Sequence, residues 1–421
     1  MKKLIFITGL IYFCLLINSA KAEEMVRVRL VNFIGDSNEI EFNLTGEYFT
    51  LDPTLFLEEG VDYQLKVKKG KMYLKGGGIK LRVDETFILI PQSYNEQHKI
   101  TINNRPYLGA IEFKLENRKS IRTINQLPLE DYLKGVVPLE VFPSWNIEAL
   151  KAQALAARTY AVTHINKDMD DTTFYQVYGG YAWNAKTTKA IEETKGEVIT
   201  FKNKLIEAFY SASNGGKTES NKNVWGGKAR PFYPIKEDPY DPIHPWEFTL
   251  QKTQINLNDI DWNIEDTWEQ LKEKEEDKKI LSVMKSSINR QGYPGDILIL
   301  SIPKFEVSKK KYSSDRSIKG SIQVEFLQRL VDGTVLLGNI SLENVSLNHI
   351  RPMIGGSTFK SYYIDSLEDT GSEYIMKGKG YGHGVGMSQW GASIMGDKGK
   401  TYREIIEFYF PGTSIITISS N

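Results

Sequence analysis

The sequence predicts an α+β fold, on three observations: short alternating apolar runs broken by turn residues from about Val26 to Thr123, a long periodic helix from Ile147 to Ile165, and a capped helix after Thr401. The runs VRVRLV, YQLKVKKGKMYL, LRVDETFILIP and HKITINNRPYLGAIEF alternate as half-buried strands do. They predict a β-rich module over residues 23–123, whose default duty is scaffold or surface contact because no chemistry-bearing pattern falls in it. A mixed α+β domain is expected over 124–421, carrying a charged helical excursion near 256–290.

Lys2 and Lys3 precede an apolar run from Leu4 to Ile17, and Ala20-Lys21-Ala22 follows as a small-x-small triplet. Residues 1–22 thus read as a secretory signal cleaved after Ala22, with an uncleaved N-terminal membrane anchor as the alternative. The apolar run is short for a membrane span. Export across the cytoplasmic membrane to the cell wall or beyond is the expected address. Cys14, the only cysteine, lies inside that signal, so the mature chain would have no thiolate nucleophile and no cysteine zinc site.

Leu127 changes the pattern. LPLEDYLKGVV places Pro128 as a first-turn proline and predicts a short helix closing near Gly135, and PLEVFPSWN follows as a loop pinned by Pro138 and Pro143. Asn146 or Ser144 caps the next helix, whose Ile147, Leu150, Ala154, Ala157, Ala161 and Ile165 share one face, mostly alanine. A helix around Thr188 to Thr194 ends at Gly196, and VITFKNKLIEAFY reads as a hairpin turning at Asn203. From Asn256 to Arg290 the charge run EDTWEQLKEKEEDKK reads as a solvated helical surface. LILSIPKFEVS, SIQVEFLQRL and VLLGNISL are further strands. Thr401 and Glu404 form a capping box for REIIEFYF, which Pro411-Gly412 stops.

Composition excludes some partners. The 421 residues carry 53 Lys plus Arg against 53 Asp plus Glu, and basic residues do not interleave with the aromatics, so no nucleic-acid groove is expected. His98, His164, His244, His349 and His383 are scattered and form no metal motif, so neither a metal nor a cofactor is expected. Glycine at every second position from Gly378 to Gly386 predicts a strand with one bare face, open to a ligand or another backbone, with Lys379, Tyr381, His383 and Val385 on the other. Its spacing does not fit a dinucleotide fingerprint.

Glu140 stands out among the carboxylates, lying between prolines with Val136, Val137, Leu139, Val141, Phe142 and Trp145 around it, a setting that raises a carboxyl pKa toward neutrality. Glu130 and Asp131 compete, although acids are favoured at a helix start anyway. Arg158, with its fork of donors, could orient a carboxylate or a sugar lactyl group, or could be an ordinary surface arginine. Ser211, Ser213, Asn214, Gly215 and Gly216 form a small-residue loop suited to presenting donors to a polar ligand. Trp145, Tyr178, Tyr181, Trp183, Trp225, Trp246, Tyr381 and Trp390 lie in or beside these loops; flat rings suit sugars, and core packing is the commoner use.

Taken in order, LEDYLKGVVPLEVFPSWNIEALKAQALAARTYAV, FYSASNGGKTESNKNVWGG, LNHIRPMIGGSTF and GKGYGHGVGMSQWGASIMGDKGKTYREIIEFYFPGT resemble the stage II sporulation protein D (SpoIID/LytB domain) family. The resemblance covers roughly Ile124 to Thr413. It implies a bacterial cell-wall protein, and for the sporulation members a lytic transglycosylase that cleaves peptidoglycan glycan strands stripped of stem peptides, leaving 1,6-anhydro ends. The family's catalytic glutamate, in V-V-x-x-E, falls on Glu140, and the arginine of A-A-R-T on Arg158. By the same resemblance Ser213, Asn214, Gly215 and Gly216, together with Tyr381, Gly382, His383, Gly384 and Gln389, look like glycan-binding walls. Some members hold zinc with Cys and His near DDTTFYQVYGG; this chain has neither there, so zinc is not carried over. The N-terminal module and the charged excursion point toward the amidase-enhancer branch, which implies a cell-wall amidase, or another sporulation wall hydrolase, as partner.

Overall fold

The computed structural model describes residues 24–259 and 267–418, and it is an α+β structure. The signal expected over 1–22 lies outside the described residues, as does part of the 256–290 stretch.

Two six-stranded sheets form the N-terminal layers. One runs in the spatial order Met169–Asp170, Met25–Arg29, Ser120–Pro128, Ala110–Glu116, Thr86–Pro91, Tyr48–Phe49. The other runs Ile79–Arg82, Lys71–Gly76, Tyr63–Lys68, Glu39–Thr45, Lys99–Ile102, Arg105–Leu108. Alternation fixes which side chains turn inward: Val26, Val28, Phe42, Leu44, Leu65, Leu74, Ile100, Ile111 and Phe113 are buried in one core. At the hairpin turn Asn103-Asn104 both residues take positive φ, 47° and 66°, which is the twist a two-residue turn needs. The expected boundary at 123/124 falls inside the strand Ser120–Pro128. The same core continues into Tyr132, Leu133, Val136, Val137, Leu150 and Ala154 of the helices that follow.

Helix α1, Leu129–Glu140, does not close near Gly135 as expected but runs on through Pro138. Gly135 is there for contact: a Cβ on it would lie 2.5 Å from the Gly180 carbonyl oxygen and 2.6 Å from the Tyr178 ring. Glu140 is thus the last helical residue, not part of a loop. Asn146, not Ser144, caps α2, Ile147–His164, by accepting from the Glu148 amide at 2.9 Å. Apolar residues cover α2 nearly all round, as befits a helix wedged between cores: Leu150, Ala154, Ala157 and Ala161 face the first, Ala152, Leu155 and Ala156 another. Helix α3, Ala185–Glu193, starts three residues earlier than expected, at an Asn184 cap.

Beyond α3, the strand Glu197–Phe201 pairs with Ser414–Thr417, and α4, Asn221–Trp225, leads toward the strand Pro245–Gln251. The charged stretch contains α5, Thr267–Glu273, and α6, Lys278–Arg290. It is not merely solvated. Ile280, Leu281, Met284 and Ile288 of α6 pack into a second core with Phe305, Ile322, Val324 and Phe326, under the three-stranded sheet Asp296–Val307, Lys319–Arg329, Val335–Ser346. Ile350, Met353 and Ile354 of α7, Leu347–Ile354, complete that core. Helices α8, Gln389–Asp397, and α9, Tyr402–Tyr409, close the third core against α2, and the Thr401–Glu404 capping box is formed.

Candidate active site

Glu140 sits where α1 stops and Val141 turns into extended chain. The Val177 amide donates to its Oε1 at 2.8 Å, and Gln389 Nε2 donates to its backbone carbonyl at 3.1 Å. Burial pushes the carboxyl up to about 7, against the pull of the Val177 and Gln389 hydrogen bonds. The residue is crowded by protein yet keeps partial solvent access. Behind it, Gln176 links two phenols, accepting from Tyr132 at 3.2 Å and donating to Tyr210 at 3.0 Å. The Glu140 charge adds to the burial that raises both tyrosines, so all three groups favour their neutral forms.

Gln389 reaches Glu140 because of how α8 begins. Met387–Ser388 pairs in parallel with Tyr210–Ser211, and Ser388 caps α8 by accepting from the Gly391 amide at 3.0 Å. Ser388 Oγ also donates to Asp241 at 2.7 Å, and that carboxylate accepts from Ser213 Oγ at 2.7 Å and the Asn214 amide at 2.8 Å. Asp238 accepts from Asn214 Nδ2 at 2.7 Å and the Tyr409 hydroxyl at 2.8 Å. The Ser213–Gly216 loop is therefore tied inward: Ser213 and Asn214 are each 1% exposed, and their donors serve the protein. Sequence reasoning missed Asp238 and Asp241. The signal was present, two aspartates each followed by proline in Asp238-Pro-Tyr-Asp-Pro242, a run with no periodicity to bury it.

The glycine run is not a bare strand face. The strand Glu373–Lys379 ends at Lys379, and Gly380, Gly382, Gly384 and Gly386 take φ of 77°, 106°, 74° and 72°. Protein fills the space a Cβ would need. Ser211 Cβ stands 2.7 Å from such an atom on Gly382, the Arg316 guanidinium 2.2 Å from one on Gly384, and the Phe209 carbonyl 2.1 Å from one on Gly386. The intervening side chains share no open face. Tyr381 is 41% exposed and Val385 is 0% exposed, while His383 lies 5.1 Å from the Trp225 ring and 6.1 Å from Phe209. His383 Nδ1 accepts from the Val385 amide at 3.0 Å, and burial, reinforced by Arg316, pushes its imidazole down to about 4. It is neutral at pH 7. Ser213 and Tyr381 exchange two backbone hydrogen bonds, at 3.1 and 2.8 Å, so the loop and the glycine run do meet.

Arg158 lies apart from all of these. It is 0% exposed, and its Nε and Nη2 each donate to Glu130 at 2.8 Å, with further bonds to Thr194 Oγ1 and the Ile191 and Glu197 carbonyls. All five N–H groups are engaged, so in this structure it locks α2 to the start of α1 and offers no donor to a sugar, contrary to the role expected of it. About 15 Å of helix separates Glu130 from Glu140. Among the described residues no three His, Cys, Asp or Glu side chains gather as a metal site would require. A surface cavity of about 610 Å³ opens beside Lys236, Tyr240 and Phe408, but its Glu404 is held down to about 2 by Lys400 and Thr401 and cannot donate a proton at neutral pH.

Residues 117–201, which hold Glu140 and Arg158, match the family model of the Stage II sporulation protein, SpoIID. Over 394 residues the chain is 38% identical to the amidase enhancer of Bacillus subtilis, covering 91% of this chain and 54% of that protein, so it spans about half of that relative's length. It is 32% identical to an uncharacterized protein of Brachyspira hyodysenteriae, over 77% of this chain and 76% of the relative. With the stage II sporulation protein D of Bacillus subtilis it shares 27% identity, over 78% of this chain and 90% of the relative.

Proposed function

The chain belongs to the stage II sporulation protein D family, and from that membership we propose that it is exported and works on the bacterial cell wall as a lytic transglycosylase, with Glu140 as its catalytic acid and base. The observation that carries this reading is the Glu140 carboxyl near 7: it holds a proton to give at neutral pH and can take one back.

Hydrolysis of a glycoside ordinarily needs two carboxylates. A transglycosylase needs one, because the sugar supplies the nucleophile. Glu140 gives its proton to the glycosidic oxygen as the C1–O bond of an N-acetylmuramic acid breaks. Its carboxylate then takes the proton of the 6-hydroxyl of the same sugar as O6 bonds to C1, which closes a 1,6-anhydro ring and restores the acid. The other acids of α1 are otherwise engaged, Glu130 with Arg158 and Asp131 with Lys134. Peptidoglycan strands without stem peptides are the proposed substrate.

The test is product analysis. Incubated with denuded glycan strands, the protein should release 1,6-anhydromuramic ends, and Glu140→Gln should lower the rate by at least about a hundredfold. Equal release by Glu140→Gln removes the assignment. A second reading is supported by the relative named an amidase enhancer: the chain stimulates a cell-wall amidase without cleaving glycan. It predicts no anhydro product from the chain alone and faster release of stem peptides when an amidase is added.

A further inference from the structure

Two residues beyond Glu140, Phe142 begins a cluster of rings tilted against one another by 55° to 59°. Phe142 and Trp145 are 5.6 Å apart between ring centres, Trp145 and Trp390 5.0 Å, Phe142 and Trp390 5.8 Å, and His244 stands 5.0 Å from Trp390. The cluster is contiguous with the proposed acid, since Gln389, which bonds the Glu140 carbonyl, is followed directly by Trp390. A core would cover such rings. Here Phe142 is 57% exposed, and Trp145, Trp390 and His244 keep partial exposure. Lys186 Nζ donates to the Ser144 carbonyl at 3.1 Å and to that of Trp145, which pins the loop to α3.

His244 is held there under strain. Ile243 and His244 take φ of 69° and 44°, a left-handed conformation that a β-branched residue all but avoids. Asp241 holds the turn by accepting from the Ile243 amide at 2.8 Å, and the Gly380 amide donates to the Ile243 and His244 carbonyls at 2.8 and 3.0 Å. His244 Nε2 is shielded from solvent and has no hydrogen-bond partner among the described residues. Strain and an orphaned polar atom together mark a turn kept for something other than stability, and such turns cluster at ligand sites.

We propose that Phe142, Trp145 and Trp390 form a platform for one pyranose ring of a 2-acetamido glycan, with His244 as the positioning residue that sets the tilt of Trp390. The inference rests on the reading of Glu140 as a glycan-cleaving acid and adds where the glycan lies. A sugar presents an apolar C–H face that suits a flat ring, and a platform two residues from the acid would fix the glycosidic oxygen against the carboxyl.

The experiment uses the full chain carrying Glu140→Gln, which prevents turnover, titrated with chitotetraose and with denuded glycan strands by calorimetry and tryptophan emission. Adding Phe142→Ala, at an exposed position that leaves the fold intact, should weaken binding about fivefold to tenfold. Trp390→Ala should weaken it further and abolish the emission change. His244→Phe, which keeps a ring against Trp390, should bind within about twofold of its parent, whereas His244→Ala should lose affinity as Phe142→Ala does. Undiminished binding by both Phe142→Ala and Trp390→Ala overturns the platform while leaving the assignment of Glu140 intact. Equal binding by His244→Ala overturns the role given to that residue. Failure of the Glu140→Gln parent to bind either glycan overturns the platform and the glycan reading together.

Discussion

A single carboxyl held near 7 has consequences for stability as well as chemistry. The folded pKa of Glu140 stands above its ordinary 4.5, so the group adds stability below about 4.5 and withdraws it as pH rises through about 7, by up to about 3 kcal/mol. Glu140→Gln removes that titration. The variant should therefore melt above the wild type at pH 8.5 and together with it at pH 4; a wild type that is the more stable at pH 8.5 would mean that the carboxylate is not penalised by its site. Arg158 makes the opposite case. Its bidentate pair with Glu130 is buried, and Arg158→Ala strands a carboxylate, so urea unfolding should report a loss of about 3 to 5 kcal/mol. Glu130→Gln in the same chain should recover part of it; no recovery would assign the loss to packing. The raised carboxyl of Glu140 was legible in the sequence because prolines and apolar residues crowd it locally. Arg158 was not, because its partner lies 28 residues away and no periodicity links the two.

At the scale of elements, glycines mislead when read only as turn or ligand signals. Gly135 suggested a helix end and is a helix contact; the Gly378–Gly386 run suggested an open strand and is one strand residue, Gly378, followed by four left-handed glycines, with protein against each missing side chain. Spacing shows that a Cβ is forbidden and says nothing of what forbids it. The strands of the first sheets and the Thr401 cap were readable because alternation and capping are local, whereas the inner face of α6 was hidden behind the charges of the segment before it. Two substitutions separate strain from collision. Gly216→Ala, at φ 89° with 3.5 Å to the Ile243 side chain, meets only the left-handed penalty, about 1 to 2 kcal/mol. Gly386→Ala adds a 2.1 Å clash with the Phe209 carbonyl, which backbone cannot relieve cheaply, and should lose at least about twice as much. Equal losses in chemical denaturation would show that the Phe209 backbone yields.

Across the whole molecule, α2 belongs to two cores, and so binds the N-terminal sheets to the α8 and α9 layer that carries Gln389 and Trp390. The second core, with α6 and α7, reaches the site differently. Arg316, on the loop between Asp296–Val307 and Lys319–Arg329, donates to the carbonyls of Asn214 at 2.7 Å, Lys217 at 2.9 Å and Thr218 at 3.4 Å, and lies in the space that Gly384 leaves open. One buried guanidinium thus joins the second core to both the Ser213–Gly216 loop and the glycine run. Arg316→Lys keeps the charge and loses the fork, at a cost of about 2 to 4 kcal/mol. If the guanidinium is the coupler, the loss is regional: hydrogen exchange should quicken at the amides of Ser213, Thr218, Glu219 and Tyr381, while those of Val28 and Phe113 keep the protection of the wild type. A uniform rise across both sets would mean that the chain opens as one unit and that Arg316 contributes only to its overall stability.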